Sequence, residues 1–136
     1  MRYLGLDLGT KSLGIAISDK TGVVASFYKS IKFVDENTLL KELESIIIKE
    51  NIDKIILGYP KNMDNSEGFR AKDTLKFKEK IEKYLHKEVI LEDERLTTRL
   101  AEGVLLQADM TRKKRKKVID GLSAVVILQS YLDRKE

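Results

Sequence analysis

Hydrophobic and polar residues alternate along the first quarter of the chain, as they do in half-buried strands. Leucines at every second position predict a strand over 2–9, and the same period predicts strands over 12–18 and 23–33. The turn residues at 19–22 (Asp-Lys-Thr-Gly) separate the last two strands. Three neighbouring strands with short links predict an antiparallel meander.

The hydrophobic period then becomes that of a helix. Apolar residues between Leu39 and Ile47 fall on one helical stripe, with Asp35 or Asn37 as the predicted N-cap and Asn51 as the stop. Further along, the same reasoning predicts strands over 54–58 and 89–91, and helices around 77–85, 100–108 and 118–132.

The order of these elements, β-β-β-α-β-α-β-α-α, predicts an α/β fold. Strands separated by helices imply right-handed crossovers, so part of the sheet should be parallel. We therefore expect one mixed five-stranded sheet flanked by helices. The 136 residues fit a single domain spanning 1–136. A hydrophobic share of 42% excludes a disordered chain.

Composition excludes several kinds of site. The chain has no cysteine, which excludes disulfides, thiolate metal sites and cysteine nucleophiles. Its one histidine, His86, is expected at the surface and cannot form a histidine cluster. No apolar run approaches the ~20 residues that span a bilayer, and the N-terminus lacks a signal-peptide pattern. We expect a cytoplasmic protein without a membrane partner.

Positive charge is concentrated near the C-terminus. The net charge is +4, and six basic residues are consecutive from Arg112 to Lys117. Such a run indicates a local anionic partner, and a solvated linker is the alternative. Because the run directly precedes Asp120, it would bring a bound phosphate backbone close to a carboxylate.

Asp7 is the first candidate for chemistry, because it interrupts a leucine-rich strand. A carboxylate near the end of a buried strand is costly unless it is paired or bound to a cation. The alternative is an Asp that caps the following turn or pairs with Lys11.

Three acids, Glu92-Asp93-Glu94, follow the apolar residues of the last predicted strand. Ligands of open α/β sheets gather at the carboxyl ends of strands, whereas a solvated turn would also explain one or two of these acids. Strand alternation puts Glu92 and Glu94 on one face and Asp93 on the other. Spacing alone therefore does not choose the functional acid.

Asp120 stands at the start of the last predicted helix, where the helix dipole favours an acid. Together with acids from distant positions, however, it suggests a different role. Carboxylates that converge from several elements form a site suited to Mg²⁺ or Mn²⁺. Such ions activate water and stabilise the leaving oxygen in phosphodiester cleavage.

Taken together, these residues resemble the YqgF family, also called RuvX, whose members are described as resolvase-like proteins and pre-16S rRNA nucleases. Four segments carry the resemblance, in the family's order: GLDLGTKSLGIAISD (5–19), GYPKNMDNSEGFRA (58–71), DERLTT (93–98) and TRKKRKKVIDGLSAVVILQSYLD (111–133). One departure is Ser12, which stands where the family typically has Arg.

The resemblance implies a ribonuclease-H-like fold and a hydrolase. It places the catalytic, metal-ligating acids at Asp7, Glu94 and Asp120, with Mg²⁺ or Mn²⁺ as cofactor. The implied activity is metal-dependent cleavage of phosphodiester bonds in 5′-end maturation of pre-16S rRNA, in the cytoplasm. The predicted nucleic-acid contacts are Lys11, Lys61, Asn62, Arg70, Arg95, Arg112, Lys113, Lys114, Arg115, Lys116 and Lys117.

Three other functions compete with this one. A Holliday junction resolvase acting on branched DNA would use the same acids, but cutting two symmetric strands requires a dimer. A non-catalytic RNA-binding ribosome-assembly factor would keep the fold without turnover. A sugar kinase or actin-like ATPase would need a second domain, which 136 residues do not supply. We expect precursor rRNA as the partner and a monomer or weak homodimer.

Overall fold

A computed structural model describes residues 1–9, 11–59, 69–93 and 112–134, and of 69, 70, 93 and 112–121 it describes the backbone alone. The described strands are β1 (Tyr3–Leu8), β2 (Ser12–Ser18), β3 (Ala25–Lys32), β4 (Lys54–Tyr59) and β5 (Val89–Asp93). The described helices are α1 (Glu36–Glu50), α2 (Phe69–Leu85) and α3 (Arg112–Arg134).

The five strands form one sheet in the order β3-β2-β1-β4-β5. Strands β1, β2 and β3 pair antiparallel, whereas β4 is parallel to both β1 and β5. This confirms the predicted meander and the mixed five-stranded sheet. The parallel half matters for function, because β1, β4 and β5 bring their carboxyl ends to the same edge.

Alternation along each strand creates two cores. The larger one lies between the sheet and α1 and α2, and Leu4, Leu6 and Leu57 belong to it. The smaller one lies under α3 and includes Tyr3, Ile56 and Leu128. Odd-numbered residues of β1 therefore face α3, and even-numbered residues face the large core.

Local sequence explains where α1 begins and ends. The Asp35 side chain accepts a hydrogen bond of 2.8 Å from the Thr38 backbone N–H, as an N-cap does. Asn51 ends the helix in the left-handed conformation with φ of 54°. Both boundaries confirm the sequence prediction.

Helix α3 begins earlier than predicted. The basic run forms its first turns, so the expectation of a helix that starts after the run is wrong. Lys and Arg are good helix formers, and they extend a helix that the apolar residues anchor. Asp120 lies eight residues after the first residue of α3, so the predicted first-turn dipole effect does not apply to it. The helix predicted around 100–108 lies outside the described residues.

Candidate nucleic-acid site at the sheet edge

Asp7 lies next to the carboxyl end of β1, on the face that α3 covers. Its in-register partner on β2 is Gly14. The side chain is half-buried, in contrast to the fully buried Leu6 before it. Asp7 occupies this position because period-two alternation assigns it to the same face as Tyr3, and that face becomes more accessible towards the edge.

The next two strands continue the row that contains Asp7. Leu6 pairs with Leu57 on parallel β4, so Asp7 lies beside Gly58, and Gly58 pairs with Glu92 on β5. These residues share the α3 face. Neighbouring strands are about 4.8 Å apart, which puts the Cα atoms of Asp7 and Glu92 about 10 Å apart. The glycine between them contributes no side chain to this row.

Glu92 is a buried strand residue rather than part of a solvated turn. It is 7% exposed and forms an ion pair with Arg134 at the C-terminal end of α3. The Arg134 guanidinium also lies 5.8 Å from the centre of the Tyr131 ring. The solvated-turn interpretation is therefore wrong for Glu92. Sequence reasoning missed the partner, because a single arginine 42 residues away leaves no local pattern.

Helix α3 runs opposite to β1. A Cβ atom added at Gly5 would lie 2.6 Å from the Leu128 Cβ and 3.2 Å from the Ala124 carbonyl oxygen. Tyr131, nearer the end of α3, packs against Tyr3 at 5.7 Å between ring centres. Moving along β1 towards Asp7 therefore corresponds to moving along α3 towards its N-terminus. Only a glycine at position 5 lets the helix approach this closely.

Some of the remaining residues singled out from the sequence are described by the structure, and others are not. Lys11 is described and exposed just before β2, and Arg70 and the six residues of the basic run are backbone positions in the first turns of α2 and α3. Glu94, Lys61, Asn62 and Arg95 lie outside the described residues. His86 is exposed, as expected.

Hard divalent cations prefer carboxylate oxygens, and Asp7 is a ligand of this type. Among the side chains that the structure describes, no three acidic, histidine or cysteine residues form a group that could hold a metal ion. Of the three predicted ligands, only the Asp7 side chain is described; Glu94 and the Asp120 side chain are not.

A cleft of about 440 Å³ lies at the opposite end of the molecule. It is lined by residues where α1 and α2 end, including Asn51, Tyr84 and His86. These positions directly precede β4 and β5, at the amino ends of those strands, so the cleft is separate from the edge that contains Asp7.

Within the described ranges, no helix has the length and apolar character to cross a bilayer.

Solved structures with the same architecture bind branched DNA. RuvC from T. thermophilus, in complex with a Holliday junction substrate, has a TM-score of 0.60 and 11% identity, over 98% of this chain and 94% of that one. The fowlpox virus resolvase with Holliday junction DNA has a TM-score of 0.59 and 18% identity, over 98% and 97%. At these identities the likeness concerns the fold alone, and it confirms the predicted ribonuclease-H-like fold.

Sequence relatives are much closer. A Geobacillus sp. (strain WCH70) protein named "Putative pre-16S rRNA nuclease" is 49% identical over 138 residues, covering 100% of both chains. A protein of the same name from Oceanobacillus iheyensis is 50% identical, covering 99% of this chain and 100% of the relative. The family model RuvX, described as Holliday junction resolvase, matches residues 1–134. A match over nearly the whole chain, together with these relatives, means that this chain belongs to the RuvX family.

Proposed function

We propose that this chain is a single-domain, metal-dependent nuclease that hydrolyses phosphodiester bonds in 5′-end maturation of pre-16S rRNA in the cytoplasm. Full-length relatives at about half identity carry the name of a pre-16S rRNA nuclease, which supports the activity and the substrate. The proposed ligands for Mg²⁺ or Mn²⁺ are Asp7, Glu94 and Asp120.

The observation that carries the proposal is the packing of α3 on Gly5. Asp7 is two residues beyond Gly5 on β1, a step of about 6.6 Å. Asp120 is four residues before Ala124, one helical turn or about 6 Å, in the corresponding direction. The backbone register thus supports Asp7 and Asp120 at the same level of the sheet edge. Glu94 is included as the third ligand because of the resemblance to the family.

Each group has a distinct proposed role. The carboxylates hold the cation, which when bound supplies Lewis-acid activation of water and stabilises the leaving oxygen. The basic run at the start of α3 binds neighbouring phosphates, since α3 extends about 4 to 12 Å beyond the level of Asp120 over these residues. Position on the substrate then depends on the loops and on the shape of the precursor.

The decisive test is cleavage by wild-type protein and by Asp7→Asn, with Mg²⁺, with Mn²⁺ and with EDTA. We expect the wild type to cut a precursor-rRNA 5′ fragment only with metal, and Asp7→Asn to lose at least about 100-fold in rate with its fold intact. Asp133→Asn, on the exposed end of α3, is the matched control and should cut normally. Full activity of Asp7→Asn would refute the metal site.

A second function, resolution of DNA junctions, is favoured by the description of the family model. The same protein should therefore be given a four-way DNA junction of equal charge at matched salt. Faster, symmetric nicking of the junction by a dimer would replace the rRNA assignment. Binding of RNA without cutting under all metal conditions would instead indicate an assembly factor.

The contribution of the basic run is measured separately. Replacing Lys113, Lys114, Lys116 and Lys117 with Gln should weaken RNA binding and flatten its dependence on salt. Each lost phosphate contact reduces the slope by roughly 0.7–0.9. An unchanged slope would mean that the run is only solvated.

A further inference from the structure

The end of the β2–β3 ladder adjoins the row that contains Asp7, on the side away from β4. Asp7 pairs with Gly14, and Gly14 pairs in turn with Ser30 on β3. One row further towards the edge, Ser12 pairs with Lys32. Since paired residues share a face, Ser30 and Lys32 lie on the same face of the sheet as Asp7.

This end of the ladder is accessible and basic. Ser30, Lys32 and the adjoining Lys11 are exposed, and Ser12 is half-buried, whereas Gly14 nearer the centre is buried. Strands β2 and β3 contain no acidic residue. Lys32 forms no ion pair with any residue that the structure describes. At the rim of the sheet, Lys32 thus lies between two hydroxyl residues and has no ion-pair partner among the described residues.

Lys29 on the same strand provides a direct contrast. It pairs with Ile15, whose side chain belongs to the large core, so Lys29 lies on the opposite face of the sheet. There it forms an ion pair of 3.9 Å with Glu42 of α1. Lys29 therefore has a carboxylate partner on the α1–α2 face, whereas Lys32, on the face of Asp7, has none among the residues that the structure describes.

The distance between Lys32 and Asp7 would let Lys32 contact the phosphate next to the one bound at Asp7. Lys32 is two strands and one row away from Asp7, which corresponds to about 12 Å between Cα atoms. A lysine side chain is long and flexible and covers much of that distance. An extended nucleic-acid strand with a phosphate at Asp7 would thus bring a neighbouring phosphate within reach of Lys32.

We propose that Lys32, with Lys11 and the hydroxyls of Ser12 and Ser30, binds the phosphate backbone of the substrate strand as it leaves the acidic site across β2 and β3. This surface rests on the proposed nuclease function and extends it, because it adds a second basic contact that is separate from the run on α3. It recognises phosphate and carries no base specificity.

The experiment compares Lys32→Gln with Lys29→Gln, which remove the same charge from opposite faces of one strand. Binding of a labelled single-stranded rRNA fragment is measured over a salt series in the Asp7→Asn background, where cutting is absent. We expect Lys32→Gln to weaken binding about 3- to 10-fold and to lower the salt slope by about 0.7, whereas Lys29→Gln changes neither. Lys32→Arg should bind like the parent protein.

Cleavage kinetics and the affinity for single-stranded DNA complete the test. In otherwise wild-type protein, Lys32→Gln should raise KM and leave kcat unchanged, because the contact is remote from the reacting phosphate. Single-stranded DNA should lose affinity by the same factor as RNA. Equal effects of the two Gln variants would refute the surface, and a loss confined to RNA would refute phosphate as its ligand. If the wild type never cuts but Lys32→Gln alone lowers the slope, the surface stands and the nuclease proposal fails.

Discussion

The two faces of the sheet differ in how they are packed. Among the side chains that the structure describes, seventeen buried hydrophobic residues form the core under α1 and α2, and seven form the core under α3. Of these residues, those on the first face are leucine, isoleucine, Phe77 and Val89. The second includes Gly5, Gly14 and Gly58, with the carboxylates Asp7 and Glu92 among them.

This difference indicates a division of labour, in which one face of the sheet stabilises the fold and the other carries the candidate site. Large aliphatic side chains on the α1–α2 face supply most of the apolar burial among the described residues, and this burial stabilises the fold. On the α3 face Gly5 lets a helix approach closely, and Asp7 and Glu92 lie further towards the edge of the sheet. The fold tolerates charged residues on the α3 face because the core on the opposite face of the sheet does not depend on them.

The largest expected effect is on the α1–α2 face. Phe77 of α2 is fully buried, so Phe77→Ala should lower the free energy of unfolding by about 3–5 kcal/mol. Tyr84→Ala on the same helix, at a position that is 57% exposed, should change it by less than about 0.5 kcal/mol. Urea unfolding measures both. Similar losses for the two variants would contradict the division of labour.

A smaller effect is expected where α3 meets β1. Gly5→Ala places a Cβ against Leu128 and the Ala124 carbonyl, so the helix must shift, at a cost of about 1–3 kcal/mol. Because α3 also carries Asp120, cleavage by the folded fraction should fall as well. Ser26→Ala on exposed β3 is the control. Unchanged cleavage by a destabilised Gly5→Ala would separate the packing of α3 from the site.

The Glu92–Arg134 pair should respond asymmetrically. Removing Arg134 deprives a buried carboxylate of a partner, so Arg134→Met should cost about 1–2 kcal/mol, discounted for the 63% exposure of the arginine. Glu92→Gln leaves an arginine that water can solvate, and should cost less. Thermal unfolding of both variants at neutral pH tests the order. A larger loss for Glu92→Gln would show that the carboxylate has a more important partner than Arg134.

The smallest effects separate acids at the site from acids elsewhere. The Thr21 hydroxyl and the Val24 and Val23 amides hold the pKa of Asp19 well below its usual range. A lowered pKa contributes stability above the unfolded value of about 3.9, and that stability is lost as pH falls through the folded pKa. Asp19→Asn should therefore flatten the loss of stability below about pH 4. Parallel curves of unfolding midpoint against pH would contradict this.

At neutral pH, Asp7→Asn should change the stability in the opposite direction to Asp19→Asn. In metal-free buffer it should raise the unfolding temperature slightly, because the three carboxylates of the proposed site would repel one another when no cation is present. Added Mg²⁺ should then stabilise the wild type more than the variant. The measurement is thermal unfolding with EDTA and with Mg²⁺, and equal metal-induced shifts would count against Asp7 as a ligand.

Much of the fold followed from local patterns in the sequence. Alternation of leucines and isoleucines predicted each of the first two strands, and Asp35 and Asn51 marked the ends of α1, since capping depends on neighbouring residues only. Asp7 was visible as a candidate because a carboxylate in a leucine-rich strand contradicts its surroundings. Choosing Glu94 over Glu92 required the resemblance, and Glu94 remains a prediction.

Only the tertiary structure decided the features that depend on distant partners. Lysine and arginine suit both a solvated linker and a helix, so the start of α3 was not encoded in its charge pattern alone. Glu92 is buried and forms an ion pair with Arg134, a partner 42 residues away in the sequence. The register of β3 shifts opposite Ile15 and Ala16, so that Phe27 and Lys32 share a face although simple alternation would separate them. A β-bulge leaves no periodic pattern in the sequence, so it was not predicted. This register shift brings Lys32 to the face of Asp7.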